Sequence, residues 1–288
     1  MVIDGTKLAA PIIENLSRDI EELKAKNVIP KIAIVTLGDE ASWAVYVGRK
    51  MKLADKLGIK SELINLSDSE TEDALLKTIE RLNNDENVHG IIVQRPMPTS
   101  FDKQTITNAI KKDKDIDGFR PDSEYKVPAW LATNEIIRSV YGVLTASKLQ
   151  NSPSNQAILI VGKGETAGSP IISELSAAGL KITVVDSKTE NPEKLFKNAD
   201  LIISAVGKEH VIKAQDIKKG VVLIGVGTHK DAEGNLAGDY NEEEIKDIAR
   251  AYTPMPGGVG PLNLAYLFKN LIEAAKKQTP IKLGQTGN

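Results

Sequence analysis

The chain has no cysteine among its 288 residues. Disulfides, thiolate metal sites and cysteine nucleophiles are therefore excluded, and the composition fits a reducing compartment. Aromatic residues make up only 4%, too few for base-stacking platforms. Neither charge dominates: 37 lysines and arginines face 39 acids, for a net charge of -2. The basic footprint of a nucleic-acid binder is absent. Long apolar runs are missing too; stretches such as Ala157–Val161 and Val221–Ile224 fall far short of a membrane span. The opening MVIDGTKLAA lacks a signal-peptide core. Histidine is scarce, and His89, His210 and His229 show no ligand spacing, so no metal is expected. These absences point to a soluble, cytoplasmic protein with no nucleic-acid or membrane partner.

Short β-branched runs alternating with amphipathic segments are abundant. A first series comprises a helix capped by Thr6 and reaching about Lys26, strand Lys31–Thr36, helix Ala41–Leu57, strand Lys60–Leu66, helix Thr71–Asn83 and strand Gly90–Gln94. A second comprises strand Ala157–Val161, helix Thr166–Ala178, strand Ile182–Val185, helix Pro192–Asn198 and strands Leu201–Ser204 and Val221–Val226. Such alternation predicts parallel sheets in an α/β protein. The polar stretch Leu149–Gln156 separates the two halves as a surface loop, a helix over 133–141 bridges them, and a cleft between the lobes is the expected ligand site.

The segment Thr253–Leu262, TPMPGGVGPL, holds three prolines and three glycines. Proline fixes φ and glycine permits positive φ, so the run specifies one stiff, open backbone path. It serves either as a rigid connector or as a wall along which a ligand approaches main-chain N–H groups and the next helix start.

Ile158–Gly168, ILIVGKGETAG, places a glycine turn between an apolar strand and a helix. Gly162, Lys163 and Gly164 allow a pyrophosphate to approach the helix start. The spacing is G-x-G-x-x-x-G rather than G-x-G-x-x-G. The following strand ends in Asp186, 22 residues after Gly164, close to the ~20 expected for an acid on the ribose hydroxyls. A carboxylate there favours NAD over NADP, whereas Lys163 and Lys188 would favour a 2′-phosphate. Ser187 follows the acid, and Val206, Gly207 and Thr228 lie at later strand ends, where they would line the same cofactor site.

In the first half, Tyr46 and Lys50 stand four apart on one helix face. Gln94 ends a strand, and Asp117 sits in KDKDIDGF. An aromatic, an amine, an amide and a carboxylate suit the holding of a heterocycle and the movement of a proton, provided the lysine is depressed by its surroundings. A half-buried ring beside a solvated amine fits the same spacing.

GDEASWAVYVGRKMK, GIIVQRPMP, KDIDGF, ADLIISAVG and TPMPGGVGPLN occur in this order. Together they resemble the bifunctional methylenetetrahydrofolate dehydrogenase/methenyltetrahydrofolate cyclohydrolase family over essentially the whole chain. The resemblance implies a folate-binding catalytic domain over 1–145, with a C-terminal helix 262–288 packing back on it, and a Rossmann NAD(P)-binding domain over 146–261. It implies oxidation of 5,10-methylene-tetrahydrofolate with NAD(P)+ and hydrolysis of the methenyl product to 10-formyl-tetrahydrofolate, for one-carbon metabolism and purine biosynthesis, usually in a homodimer. It assigns Tyr46 to stacking on the folate, Lys50 to hydrolysis, Gln94 to holding Lys50, and Asp117 to the pterin ring. Gly257, Gly258 and Pro261 would shape the folate wall.

The sequence departs from the family on the cofactor side. Gly162-Lys163-Gly164 replaces a common Gly-Arg-Ser, and Asp186 stands where histidine is frequent; both changes point to NAD. Gly225-Val226-Gly227-Thr228-His229 replaces Asp-Val-Gly-Ile-Asn, Pro128–Thr133 replaces Pro-Cys-Thr-Pro, and Asn263 replaces a threonine. A cyclohydrolase with a weak or NAD-specific dehydrogenase, and a silent folate- or nucleotide-binding paralogue, are the alternatives. A shikimate-type dehydrogenase would share the architecture but not the YVGRK and PGGVGP blocks.

Overall fold

The computed structural model describes residues 1–38, 40–67, 69–142 and 157–279; the expected loop at Leu149–Gln156 lies outside them. Contacts divide the chain into two compact units. The first comprises Ile12–Lys126 and the stretch from Leu267 onward; the second comprises Met1–Pro11 and Val127–Tyr266.

The first unit is built on strand β1 (Lys31–Leu37), flanked in parallel by β2 (Lys60–Leu66) and β3 (Gly90–Val93). Every residue of β1 after Lys31 is buried, as befits a central parallel strand covered on both faces. Ile32 and Ile34 face one core with Leu16 and Ile20 of helix α1 (Gly5–Ala25), Trp43 and Val47 of α2 (Glu40–Leu57), and Phe268 and Leu271 of the C-terminal helix. Ala33 and Val35 face the other core, with Leu75, Ile79 and Leu82 of α3 (Glu72–Asn84) and Ile106 of α4 (Lys103–Ala109). Because β1 pairs with β2 on one side and β3 on the other, the chain leaves the strand ends in opposite directions there. That switch point is where open α/β sheets bind ligands.

The second unit begins with α5 (Pro128–Tyr141) and carries a parallel sheet in the order β10-β7-β6-β4-β5. Its strands are β4 (Ile158–Val161), β5 (Ile182–Val185), β6 (Leu201–Ser204), β7 (Val222–Gly225) and β10 (Ala251–Tyr252). Helices α6 (Gly168–Ala177), α7 (Glu193–Asn198) and α8 (Glu242–Ile245) and the antiparallel hairpin β8 (Thr228–Lys230)–β9 (Leu236–Gly238) complete it. Here β4 lies between β5 and β6, placing a second switch point at its C-terminal end.

Several local expectations are revised. The backbone N–H of Lys7 donates to Asp4 Oδ1 at 2.9 Å, so Asp4 rather than Thr6 caps α1. The last helix, α9 (Val259–Gln278), starts within the PGGVGP segment, because Pro261 needs no N–H partner in a first turn. Helix α4, capped by Asp102, and the β8–β9 hairpin were not expected. Gly5 explains the tight fit of TPMPGG: its N–H donates to Gly257 O at 2.8 Å, and a Cβ on it would lie 1.7 Å from Gly258 O.

Candidate active site

Helix α2 starts beyond β1 and carries Lys50 to the end of β3. There Lys50 Nζ donates to Gln94 Oε1 at 2.9 Å. Gln94 is held at both ends, since its Nε2 donates to the Arg95 carbonyl at 2.9 Å. That second bond fixes the amide so that only oxygen faces the lysine. A neutral Lys50 therefore gives one N–H to Gln94 and keeps its lone pair directed elsewhere. Tyr46 lies one turn earlier on α2 and is 42% exposed.

Asp117 is brought to the same site by the loop after α4, which is pinned from three sides. Lys114 Nζ donates to Leu82 O, Asn83 O and Asp85 O at the end of α3. Asn270 of α9 donates to Ile116 O at 2.8 Å. The Arg120 N–H donates to Asp115 Oδ2 at 2.9 Å, closing the turn that presents Asp117. Burial pushes Lys50 below the usual lysine range, and the Asp117 carboxylate offsets part of this. Burial likewise pushes Asp117 up, while Lys50 and Arg95 pull it back. Both groups are half-buried, so the protein displaces much of their water while leaving them reachable.

Asp115 is 1% exposed, and burial pushes its carboxyl up to about 6. Between the unfolded value of 3.8 and about 6, the folded chain keeps a proton that the unfolded chain releases. This group's contribution to stability is therefore full below the unfolded value and lost as pH rises through about 6. Asp115→Asn should become more stable relative to the parent on going from pH 4 to pH 7, by about 2–3 kcal/mol. Denaturant titrations at the two pH values measure this, and a pH-independent difference would contradict it.

In the second unit, Gly162 has a φ of 89° and a Cβ on it would meet Ala205 O at 2.8 Å, so the turns after β4 and β6 touch. A Cβ on Gly168 would lie 2.3 Å from Gly162 O, whereas one on Gly164 would meet nothing within 4 Å. Packing thus requires the first and last glycines of the spacing, and Gly164 borders open space. The N-cap of α6 is Ala167, with no side-chain cap. The Ser169 N–H of its first turn already donates to Gly164 O at 3.0 Å and Pro170 has no N–H, so the glycine turn, with Gly168 at the helix start, is what fits a dinucleotide.

Lys163 Nζ sits 2.7 Å from Asp186 Oδ2. Asp186 Oδ1 also accepts the Lys188 backbone N–H at 2.9 Å. Lys163, then that N–H, holds the carboxyl below its usual range. Ser187 lies in the turn between them.

Val206 and Gly207 follow β6, but their N–H groups are already engaged. Asp239, fully buried after β9, accepts from Val206 N at 3.0 Å, Gly207 N at 2.7 Å, Lys208 N at 3.0 Å and Ser204 Oγ at 2.5 Å. Val206 and Gly207 are therefore left to line a cofactor with side chain, Cα and carbonyl. Gly227 makes this carboxylate-filled nest possible, since a Cβ there would lie 2.3 Å from Gly207 N. Thr228 begins β8 beside them, and both ring nitrogens of His229 are buried without a hydrogen-bond partner among the described residues. Gly257, Gly258 and Pro261 belong to the second unit, where Gly5, Thr253 and Pro254 lie against the two glycines. Sequence reasoning missed Asp239, Asp115 and a role for Arg95. Only the isolated acid of AGDY among small residues signalled the first.

A glycine turn running into a helix at a switch point, followed by an acid at the next strand end, marks an NAD(P)-binding α/β protein. The first unit adds a depressed lysine of the kind that moves protons. The model of the tetrahydrofolate dehydrogenase/cyclohydrolase catalytic domain matches residues 3–117, and that of the same family's NAD(P)-binding domain matches residues 138–279. The chain belongs to the tetrahydrofolate dehydrogenase/cyclohydrolase family. It is 35% identical over 277 residues to bifunctional protein FolD of Macrococcus caseolyticus, covering 96% of this chain and 98% of that one. It resembles the crystal structure of bifunctional FolD from Campylobacter jejuni, with a TM-score of 0.87 at 30% identity over 97% and 99% of the two chains. The Trypanosoma brucei enzyme, solved with NADP and an inhibitor, gives a TM-score of 0.86 at 28% identity over 96% and 97%. Among the described residues, no helix is long and apolar enough to cross a membrane.

Proposed function

We propose that this chain oxidises 5,10-methylene-tetrahydrofolate to the 5,10-methenyl form and hydrolyses that product to 10-formyl-tetrahydrofolate. The observation that carries the reading is the bond from a depressed Lys50 to an immobilised Gln94 beside Asp117. A bound nicotinamide would supply the acceptor for a hydride from the bridging methylene carbon. The protein's part in that step is orientation. Tyr46 stacks on the folate, Asp117 accepts from the pterin ring, and Gly257, Gly258 and Pro261 shape the wall. Gly162, Lys163, Gly164, Asp186, Ser187, Val206, Gly207 and Thr228 hold the dinucleotide.

In the hydrolytic step, water forms a C–O bond to the methenyl carbon while Lys50 takes the water's proton. The C–N5 bond then breaks, N5 gains a proton and the new hydroxyl loses one. One proton is released per turnover. Mass analysis of the folates after incubation with 5,10-methylene-tetrahydrofolate and NAD(P)+ tests the reading: 10-formyl-tetrahydrofolate is expected. Unchanged methylene-tetrahydrofolate would exclude the oxidation; methenyl product no faster in hydrolysis than without enzyme would exclude the second step.

NAD is the favoured cofactor, because Asp186 offers a carboxylate to the ribose hydroxyls. Lys163, its ion-pair partner, is the group that opposes this choice. Asp186→Ser should free Lys163 for a 2′-phosphate and move the NADP+/NAD+ ratio of kcat/KM upward by roughly 10–100-fold, the worth of one charge-assisted hydrogen bond. Lys163→Ala should move it down. Ratios unmoved in both variants would remove Asp186 and Lys163 from cofactor choice. The same reading divides the chain into a folate lobe, 1–145 with 262–288, and a nucleotide lobe, 146–261. It makes the protein a cytoplasmic homodimer without metal that feeds purine biosynthesis; light scattering on purified protein tests the dimer.

A further inference from the structure

We propose that Arg95 is a positioning residue of the hydrolytic site: it supplies the standing counter-charge of Asp117, so that Lys50 can give up its proton without leaving that carboxylate unbalanced. This rests on the function proposed above and extends it to a residue given no role there.

Arg95 reaches the site from the end of β3 and is held on several sides. Its guanidinium carbon lies 4.5 Å from the centroid of the Phe119 ring. Its Nη2 donates to Thr107 Oγ1 at 2.8 Å, and that hydroxyl donates to Lys103 O at 2.7 Å. Its carbonyl fixes the Gln94 amide that receives Lys50. One residue thus orients the lysine's partner through its backbone and borders one cavity with the site's carboxylate. Arg95, Thr107, Asp115, Asp117 and Phe119 border a cavity of about 10 Å³, about the space of one water.

The charges explain why a second cation is needed. Asp117 feels two positive groups, Lys50 and Arg95. With only Lys50 present, nothing would oppose the pull of the Asp117 carboxylate on the lysine proton, and the pair would stay ammonium and carboxylate to higher pH. Arginine keeps its charge at every working pH. With Arg95 in place, neutral Lys50 still leaves Arg95 and Asp117 balanced. The other charged groups nearby are accounted for: Asp115 borders the same cavity and accepts the Arg120 N–H, and the Arg120 guanidinium is paired with Asp122 at 2.8 Å.

The test is the pH dependence of kcat/KM for hydrolysis of 5,10-methenyl-tetrahydrofolate, with the uncatalysed rate subtracted. It is run for the parent chain, Arg95→Leu, Arg95→Lys and Thr107→Val. Hydrolysis rises with pH as Lys50 loses its proton. In Arg95→Leu the rising limb should move to higher pH by about one unit, so that rates on the limb fall roughly tenfold while the high-pH plateau changes much less. Arg95→Lys, which keeps a positive charge, should stay near the parent. Thr107→Val, which only loosens the guanidinium, should move the limb the same way by less; it remains decisive if Arg95→Leu does not fold. A limb that stays in place in every folded variant, or a loss equal at all pH values, would overturn the proposal. No catalysed hydrolysis by the parent chain would instead refute the function on which it rests.

Discussion

Lys50→Met is expected to lower catalysed hydrolysis of 5,10-methenyl-tetrahydrofolate by about 10²–10⁴-fold, the usual worth of a positioned acid–base group. Methionine keeps the length and volume of the side chain but accepts no proton. It also leaves Gln94 Oε1 without the donor that Lys50 supplies at 2.9 Å. Oxidation of the methylene form requires no proton acceptor on the hydride path, so part of the dehydrogenase activity should survive. The split between the two activities is the informative readout. Equal loss of both would make Lys50 a binding group, and intact hydrolysis would remove it from the chemistry. In the parent, hydrolysis should decline toward acid pH. Lys50, although depressed, regains its proton as pH falls, and Asp117, raised by burial, also becomes easier to protonate.

Gly168→Val should have the opposite selectivity. Even the first carbon of a side chain at this position would lie 2.3 Å from Gly162 O and 2.9 Å from Lys163 Cα, so the turn after β4 must move away from the start of α6. Overpacking of this kind costs about 1–3 kcal/mol. Because the displaced atoms are those that would cradle the pyrophosphate, the cost falls on cofactor binding. We expect kcat/KM for NAD+ to fall about 100-fold, with hydrolysis of the methenyl form retained because that step uses no dinucleotide. Gly164→Ala, where a Cβ meets nothing within 4 Å, should be far milder unless the ligand itself needs the space. Equal behaviour of the two variants would contradict the assignment of the turn.

These two residues show what was legible in the sequence. The strand runs and helix periodicity are local properties, and β1, β2, β5 and β6 appear within a residue of their expected ends. The Tyr46–Lys50 spacing, the Gln94 strand end and Asp117 are likewise local. Their convergence became an argument only through five ordered blocks. Spacing could not say which glycine of G-x-G-x-x-x-G packs against the turn, because that depends on where Gly162 O points. Nor could it say that Lys188 meets Asp186 with its backbone while Lys163 meets it with its ammonium. Asp239 was the least legible, since its partners lie 31 to 35 residues earlier and no local pattern distinguishes a carboxylate that fills a nest from one on a solvated turn. Arg95 stood in one of those blocks, yet its meaning depends on Thr107 of α4 and on Asp117 and Phe119 of the loop after it, which the fold brings to the end of β3.

The most direct test of the central claim is an absorbance measurement on one preparation of the purified chain. It follows cofactor reduction with 5,10-methylene-tetrahydrofolate and NAD+ or NADP+, then the decay of 5,10-methenyl-tetrahydrofolate alone. The account predicts both signals, with NAD+ reduced faster than NADP+ and methenyl decay well above the uncatalysed rate. Methenyl decay without reduction of either cofactor would contradict the bifunctional reading and leave a cyclohydrolase; neither signal would contradict the account as a whole.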